Sequence, residues 1–128
     1  MGRNRRNLGE KGERVARDYL RRQGYRILEE NYSCRLGEID LIAHQGDTLV
    51  FIEVRTKGSR DFGPPQSSVN LHKQRQIARV AEFYLAEKGL GQVDCRFDVV
   101  AVSPSLEGGE IKVELIKNAF PKDGIRTF

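Results

Sequence analysis

Cysteine, histidine and tryptophan are scarce in this sequence, which has no tryptophan, two histidines and two cysteines. Cys34 and Cys95 belong to no CxxC motif or Cys/His cluster, which argues against a zinc site and a disulfide framework. No apolar run approaches the roughly 18 to 20 residues of a membrane span, and no apolar signal region follows the basic N-terminus. We therefore expect a cytoplasmic protein with no membrane partner.

Charge, by contrast, is abundant and unevenly distributed. Apolar residues make up 38% of the chain and charged residues 31%, which favours one folded domain over residues 1–128 with a modest core. The first 26 residues carry nine Arg or Lys and three Asp or Glu, whereas the rest of the chain carries 13 and 15. A basic end on a slightly acidic body suits a polyanionic partner, although a solvated helix with a basic tail explains the same charges.

Hydrophobic spacing predicts two helices and five strands. Helical periodicity covers residues 9–23 and recurs within residues 69–89. Strand patterns cover residues 25–32, both halves of 37–57, 95–103 and 111–117. The order helix, three strands, helix, two strands predicts an α/β fold with a mixed central sheet flanked by helices. A flexible basic arm is predicted over about residues 1–8.

The stretch GEIDLIAHQGDTLVFIEVRTK places three carboxylates in the most strand-like part of the chain, although strands disfavour Asp and mildly disfavour Glu. Residues 46–47, Gly-Asp, are typical of a two-residue primed turn, and this turn fixes the pairing of the two strands. The resulting register places Asp40 opposite Glu53 and Glu38 opposite Arg55.

Alternation along this hairpin predicts one apolar face and one mixed face. The apolar face comprises Ile39, Leu41, Ala43, Val50, Ile52 and Val54. The mixed face is apolar near the turn and charged at the far end. That gradient is expected if a helix covers one end of the face and a cleft opens at the other.

Directly opposed carboxylates repel each other unless a cation lies between them. For Asp40 and Glu53 that cation could be Mg²⁺ or Mn²⁺, which bind one or two carboxylates together with water and substrate phosphates. Arg55 lies two residues beyond Glu53 on the same face and could reach such a phosphate. Structural ion pairs between carboxylates and basic side chains, or a different strand register, remain open alternatives.

GEIDLIA followed by LVFIEVRTK also resembles the YraN-like family of small bacterial proteins, which is grouped with the PD-(D/E)XK nuclease superfamily and related to archaeal Holliday junction resolvases. The resemblance extends through GEKGERVARDYLRRQGYRILEENY, LHKQRQIARVAEFYL and CRFDVVAV, nearly the whole chain. It implies a restriction-endonuclease-like core and a Mg²⁺- or Mn²⁺-dependent endonuclease that hydrolyses phosphodiester bonds in DNA, branched or structured DNA included.

The resemblance implies roles for individual residues. Asp40 and Glu53 would bind the metal ion, with Glu13 as a further ligand. Arg55 occupies the position at which the superfamily has a lysine that orients or activates the attacking water. Arginine cannot act as a general base near neutral pH, but it can stabilise charge on a phosphate. A non-catalytic module that keeps the nuclease fold and binds nucleic acid or a partner is therefore an alternative function, and a purely structural protein is a third.

Several residues complete the list of candidates. Contacts to nucleic acid are predicted for Arg3, Arg5, Arg6, Lys57 and Lys73, and Lys57 could also substitute for the missing lysine. Glu38 and Asp98 are secondary candidates. Asp98 interrupts an apolar strand, where it would be either a supporting group of the site or a polar residue whose hydrogen bonds are satisfied locally. His44 and His72 have no ligand-type partner nearby in sequence, so non-catalytic roles are predicted. A homodimer would suit two-strand cleavage, although no residue requires one.

Overall fold

A computed structural model describes residues 2–56, 69–104 and 110–121, with side chains in the first helix from Glu10 onward. Two helices and five strands make up this part of the chain. In chain order they are α1 (Gly2–Arg22), β1 (Arg26–Cys34), β2 (Gly37–Gln45), β3 (Thr48–Thr56), α2 (Leu71–Glu87), β4 (Cys95–Pro104) and β5 (Ile111–Phe120). Neither helix is long and apolar enough to cross a membrane.

The five strands form one sheet whose spatial order follows the chain, β1-β2-β3-β4-β5. Strands β3 and β4 are parallel, with α2 between them in sequence, and the other neighbours are antiparallel. A parallel pair needs such a crossover connection, whereas antiparallel neighbours need only a short turn. The predicted α/β fold with a mixed central sheet and two helices is thus confirmed.

The two helices pack on separate core layers of this sheet. Ala16 and Leu20 of α1 are fully buried against Leu41, Ala43, Val50, Ile52, Val100 and Val102. Helix α2 buries Ile77, Val80, Ala81, Tyr84 and Leu85 against Ile42, Leu49, Phe51, Phe97 and Val99. The alternating assignment of the two layers along β3 follows from side chains pointing to opposite faces at successive residues. The central strands are therefore covered on both faces.

The central hairpin has the predicted turn. Gly46 has a φ of 60°, which the first central residue of a primed turn requires. Pairing starts at Gln45 and Thr48 and keeps the predicted register as far as Leu41 and Ile52. On the mixed face the apolar end is covered by α2, in agreement with the predicted gradient.

Helix α1 begins earlier than its apolar periodicity indicates. It starts at Gly2, so residues 2–8, predicted as an arm, lie in its first turns. In the sequence, apolar residues at helical spacing begin at Val15 and Ala16, whereas the preceding turns are rich in Arg, Glu and Lys. These residues favour helices without leaving a hydrophobic period to detect.

Strand β2 changes face between Ile39 and Leu41. Leu41 packs in the core layer under α1, whereas Ile39 packs in the layer under α2. Residues two apart share a face in a regular strand, so the predicted place of Ile39 on the same face as Leu41 is wrong.

Strand β1 changes face at the matching position. Glu30 forms a 2.8 Å ion pair with Arg17 of α1, whereas the ring of Tyr32 packs edge-on against Tyr84 of α2, with 5.0 Å between centroids. Asn31 lies between them with a φ of 53°, in the left-handed region. This conformation is uncommon for residues other than glycine and is adopted most readily by Asn and Asp. A single left-handed residue thus accompanies the change of face.

Candidate active site

The paired part of β2 and β3 ends beside Asp40. The last pair is Leu41 with Ile52, so the predicted pairing of Asp40 with Glu53 is not formed. Instead the Val54 amide donates a 2.8 Å hydrogen bond to Oδ2 of Asp40. The side-chain carboxylate accepts an amide hydrogen that a continued ladder would bond to the backbone, and the two strands part at this point.

Glu53 lies on β3 at the edge of the core and is only 7% exposed. Burial raises the pKa of its carboxyl to about 7 and the neighbouring Asp40 adds to the rise, although Lys73 and Arg55 oppose it. Nη1 of Arg55 is 3.9 Å from Oε1 of Glu53, the outer limit of an ion pair. The nearby cations therefore offset only part of the cost of ionising Glu53.

Asp40 is held in a similar environment. Burial raises the pKa of its carboxyl to about 6, against the lowering effect of the Val54 amide. The carboxylates of Glu13 and Glu38 raise it further, and Lys73 lowers it. A cation placed near Asp40 would stabilise the charged form of this half-buried carboxyl, because burial and the neighbouring carboxylates both disfavour that form.

Tertiary packing brings Glu13 to this cluster. A Cβ at Gly12 would lie 2.7 Å from Oγ1 of Thr56, so α1 can approach the end of β3 this closely only because residue 12 is glycine. Glu38 reaches the cluster from β2, although its predicted pairing with Arg55 also lies beyond the last ladder pair. Glu13 and Glu38 thus lie close enough to act electrostatically on Asp40, beside the point where β2 and β3 part.

The donor set suits a hard divalent cation. All candidate ligands are carboxylate oxygens, which Mg²⁺ and Mn²⁺ prefer. Within the described part of the chain, Lys73 lowers the pKa of both Asp40 and Glu53, and Arg55 lowers that of Glu53. In the described ranges no three His, Cys, Asp or Glu side chains converge closely enough to form a metal-binding group. The chemistry of Asp40 and Glu53 therefore suits an ion that takes one or two carboxylates and otherwise water, as is usual for Mg²⁺.

The start of α2 supplies the basic side of the site. Asn70 caps the helix by accepting a 2.8 Å hydrogen bond from the backbone amide of Lys73. One turn later, Nε2 of Gln76 donates a 3.3 Å hydrogen bond to the carbonyl of Leu36, above Gly37 at the start of β2. Gln76 belongs to no motif of the sequence, although its i+3 spacing from Lys73 places both residues on one helix face.

Asp98 serves a different part of the molecule. It is fully buried and accepts hydrogen bonds from the hydroxyl of Tyr25 (2.8 Å), Nε of Arg96 (2.9 Å) and the backbone amide of Asn118 (2.9 Å). It pairs with Ile52, whose side chain lies in the core layer under α1, whereas Glu53 is one residue further along and faces the other way. The geometry matches the predicted polar residue with satisfied hydrogen bonds.

The network around Asp98 also includes residues that sequence analysis missed. Nη2 of Arg96 donates to the hydroxyl of Tyr25 at 2.9 Å and to Oε1 of Gln45. Burial raises the pKa of Tyr25, and its hydrogen bond to Asp98 raises it further. The available signal was the Arg-Phe-Asp triplet, which places two opposite charges on one face of an otherwise apolar strand.

The remaining predicted residues fall into two groups. Lys57 and the side chains of Arg3, Arg5 and Arg6 lie outside the described residues. His44 is half-buried, and among the described residues its Nδ1 has no hydrogen-bond partner. His72 is exposed in the first turn of α2.

Fold and site together define a small single-sheet α/β protein with a cluster of carboxylates where its two central strands part. The model of the uncharacterised protein family UPF0102 matches residues 12–102, and the chain belongs to this family. The resemblance to the YraN-like family is thereby confirmed at the level of the family. The matched region contains Glu13, Asp40, Glu53 and Lys73.

Three bacterial relatives illustrate the similarity. The UPF0102 protein of Syntrophus aciditrophicus is 52% identical over 112 residues, covering 88% of this chain and 87% of its own. That of Moorella thermoacetica is 51% identical over 116 residues, covering 91% and 97%. That of Alkaliphilus metalliredigens is 47% identical over 114 residues, covering 89% and 97%. The chain therefore matches these relatives over nearly their full length.

Proposed function

We propose that this protein is a metal-dependent nuclease of the PD-(D/E)XK type that hydrolyses phosphodiester bonds in DNA. The observation that carries the proposal is the pair of carboxylates with raised pKa values, half-buried Asp40 and buried Glu53, at the point where β2 and β3 part. The order α1, β1, β2, β3, α2, β4 equals the order of elements in the restriction-endonuclease-like core that the family resemblance implies, and it supports this fold assignment.

Asp40 and Glu53 would hold Mg²⁺ or Mn²⁺, with Glu13 and Glu38 as outer acids that bind it directly or through water. When bound, such an ion lowers the pKa of a coordinated water and stabilises the attacking and leaving oxygens of a phosphodiester. The protein's own contribution is to hold the two carboxylates in place. The Val54 amide does so for Asp40, and burial beside α2 does so for Glu53.

Arg55 and Lys73 would bind the phosphate. Both cations act on the carboxyl of Glu53, and the side chain of Arg55 is 38% exposed, so its guanidinium can reach a substrate from the site. A fixed guanidinium stabilises negative charge that develops on the transferred phosphate. Arginine side chains do not act as general bases, so Arg55 would not take the proton from the attacking water.

The exposed basic side chains of α1 would hold the nucleic-acid backbone. Lys11, Arg14, Arg21 and Arg22 are exposed. Arg17 forms a 2.8 Å ion pair with Glu30, and Arg21 forms a longer one, 3.7 Å, with Asp18. Contacts of lysine and arginine with phosphates give affinity and position without reading the base sequence. We therefore expect weak sequence specificity, with branched or structured DNA among the substrates to test.

The main alternative is a module that keeps the nuclease fold and binds nucleic acid or a partner without cutting. The observation that favours it is Arg55, which stands at the position of the superfamily's lysine and lies beside Glu53. Such a module could still bind Mn²⁺ and DNA, so binding alone does not distinguish the two functions. Only a measurement of DNA cleavage distinguishes them.

The test is a cleavage assay on supercoiled, linear, single-stranded and four-way-junction DNA, with Mg²⁺, Mn²⁺ or EDTA. Asp40→Asn and Glu53→Gln keep the shape of each side chain and remove its charge, and Asp47→Asn removes a carboxylate from the exposed turn of the same hairpin as a control. We expect metal-dependent cutting by the wild type and the control only. No cutting of any substrate, or equal cutting by all variants, would refute the nuclease proposal.

The assembly state can be measured in the same experiments. If two active sites cut the two strands of a duplex, the protein should form a homodimer on DNA. Mass measurement of the free protein and of its DNA complex tests this, since one-to-one complexes that still cut both strands would exclude a required dimer.

A further inference from the structure

We propose that Asn31 is a positioning residue for the candidate metal site: its left-handed backbone turns Asp40 sideways, onto the Val54 amide, and so fixes the carboxylate that binds the metal ion. The effect on metal binding rests on the proposed function, whereas the effect on Asp40 does not. Asn31 is exposed on β1. It lies outside the stretch GEIDLIAHQGDTLVFIEVRTK and is not one of the carboxylates near Asp40.

Asn31 and Asp40 are opposite each other at the change of face. The antiparallel register pairs Glu30 with Leu41 and Tyr32 with Ile39, which leaves Asn31 facing Asp40 between the two pairs. The pair Glu30 and Leu41 lies on the α1 side of the sheet. The pair Tyr32 and Ile39 lies on the α2 side, although regular alternation would place it on the α1 side. Both strands therefore rotate together at this position.

That rotation explains the direction of the Asp40 side chain. In a regular strand Asp40 would point out of one face, as each neighbour of a buried residue does. At the point of rotation it points along the sheet instead, where Oδ2 accepts the 2.8 Å hydrogen bond from Val54 of β3. The carboxylate of Asp40 is thus held against the backbone of β3, one residue from Glu53.

A substitution at residue 31 can disfavour its left-handed backbone conformation. Asn tolerates a φ of 53°, glycine adopts it freely, and a β-branched residue is a true outlier there. Valine at this position should therefore return β1 to regular alternation. Asp40 would then lose its fixed direction.

The chain contains a matched control. Asn118 on β5 has the same φ of 53°, and its amide donates to Asp98 on the opposite face from Glu53. Asn118→Val imposes the same backbone conflict away from the acidic cluster. A comparison of Asn31→Val with Asn118→Val therefore separates a positioning effect from a general loss of stability.

The experiment measures two properties of the wild type, Asn31→Val, Asn31→Gly and Asn118→Val well below their melting temperatures. The first is the hydrogen-exchange rate of the Val54 amide, followed by NMR without metal. The second is the affinity for Mn²⁺, followed by electron paramagnetic resonance. In Asn31→Val we expect Val54 to exchange about tenfold faster or more, because it loses a charge-assisted hydrogen bond. We expect Mn²⁺ affinity to fall by about tenfold to a hundredfold, the usual loss when a group supporting a ligand is removed.

Asn31→Gly and Asn118→Val should match the wild type in both measurements. The proposal is overturned if folded Asn31→Val keeps the exchange rate of Val54, or if Asn118→Val weakens Mn²⁺ binding equally. Should Asn31→Val fail to fold, Asn31→Ala takes its place with the same two expectations. If the wild type binds no Mn²⁺ while Val54 exchange still responds to residue 31, the proposed function fails and the positioning role of Asn31 stands.

Discussion

Replacing Glu53 with glutamine should stabilise the metal-free protein at alkaline pH. Burial raises the pKa of Glu53 from its usual 4.5 to about 7, so the folded state holds this proton over a pH range in which the unfolded chain has released it. Stability therefore falls as the pH rises through this range and stays low above it. Glutamine has nearly the same shape and never ionises, so the variant avoids this loss.

The magnitude follows from the same values. One pKa unit corresponds to about 1.4 kcal/mol, so ionising Glu53 should cost the fold on the order of 3 kcal/mol above pH 7. For a domain of this size that corresponds to a change in melting temperature on the order of 10 °C. Near pH 4, where glutamate is mostly protonated in both states, the charge penalty is absent and any difference reports only the exchange of carboxyl for amide.

The assay is urea denaturation in EDTA at pH 4 and pH 8, with Asp47→Asn as the control. Relative to the wild type, Glu53→Gln should gain stability between pH 4 and pH 8: its free energy of unfolding minus that of the wild type should rise by about 3 kcal/mol. Saturating Mn²⁺ at about 100 times its dissociation constant should stabilise the wild type by roughly 2.7 kcal/mol and the variant much less. A difference that does not change with pH, or an equal change in Asp47→Asn, would show that Glu53 carries no buried charge.

Three further predictions concern the other charged groups. Arg55→Ala should lower the rate of DNA cleavage by about 10²- to 10³-fold, whereas Arg55→Lys should keep most of the wild-type rate, because only the alanine variant loses the cation. Equal rates in the wild type and Arg55→Ala would exclude a role for Arg55. Lys73→Ala should weaken DNA binding alike for all sequences and reduce the slope of log affinity against log salt by about 1; an unchanged slope would remove Lys73 from the interface. Arg96→Met should destabilise the fold by about 3 to 5 kcal/mol in urea titrations, because it leaves Asp98 buried without its cation. The folded variant should keep the Mn²⁺ affinity of the wild type. Weaker Mn²⁺ binding would link the Asp98 network to the site.

The central hairpin was predictable because its determinants are local. A glycine at position 46 and strict alternation along two adjacent strands set the turn, the register and most of the side-chain directions. A shift of one residue would turn the apolar face toward solvent, so the hydrophobic pattern excludes it. Helix α2 was predictable for the same reason, because its buried positions recur at helical spacing from Ile77 to Leu85.

The geometry at Asp40 was not predictable from that pattern. Hydrophobic periodicity carries no information about the φ of a single polar residue. The left-handed Asn31, and the packing of Ile39 under α2 instead of α1, therefore could not be predicted from the pattern of a regular strand. Regular alternation predicted a face-to-face pair of Asp40 and Glu53, and the structure has a carboxylate bonded to the Val54 amide instead. Burial of Glu53, which raises its pKa, also depends on how closely α2 covers β3.

The amino-acid sequence was sufficient to fix the elements, their order, the hairpin and the suspicion that Asp40 and Glu53 share a cation, because each depends on neighbours within a few residues or on one repeating period. The three-dimensional packing was needed to bring Glu13 and Lys73 to that pair from two different helices. It also assigned Asp98 to a separate network. Those outcomes depend on contacts between residues tens of positions apart, such as Gly12 against Thr56, which no local spacing encodes.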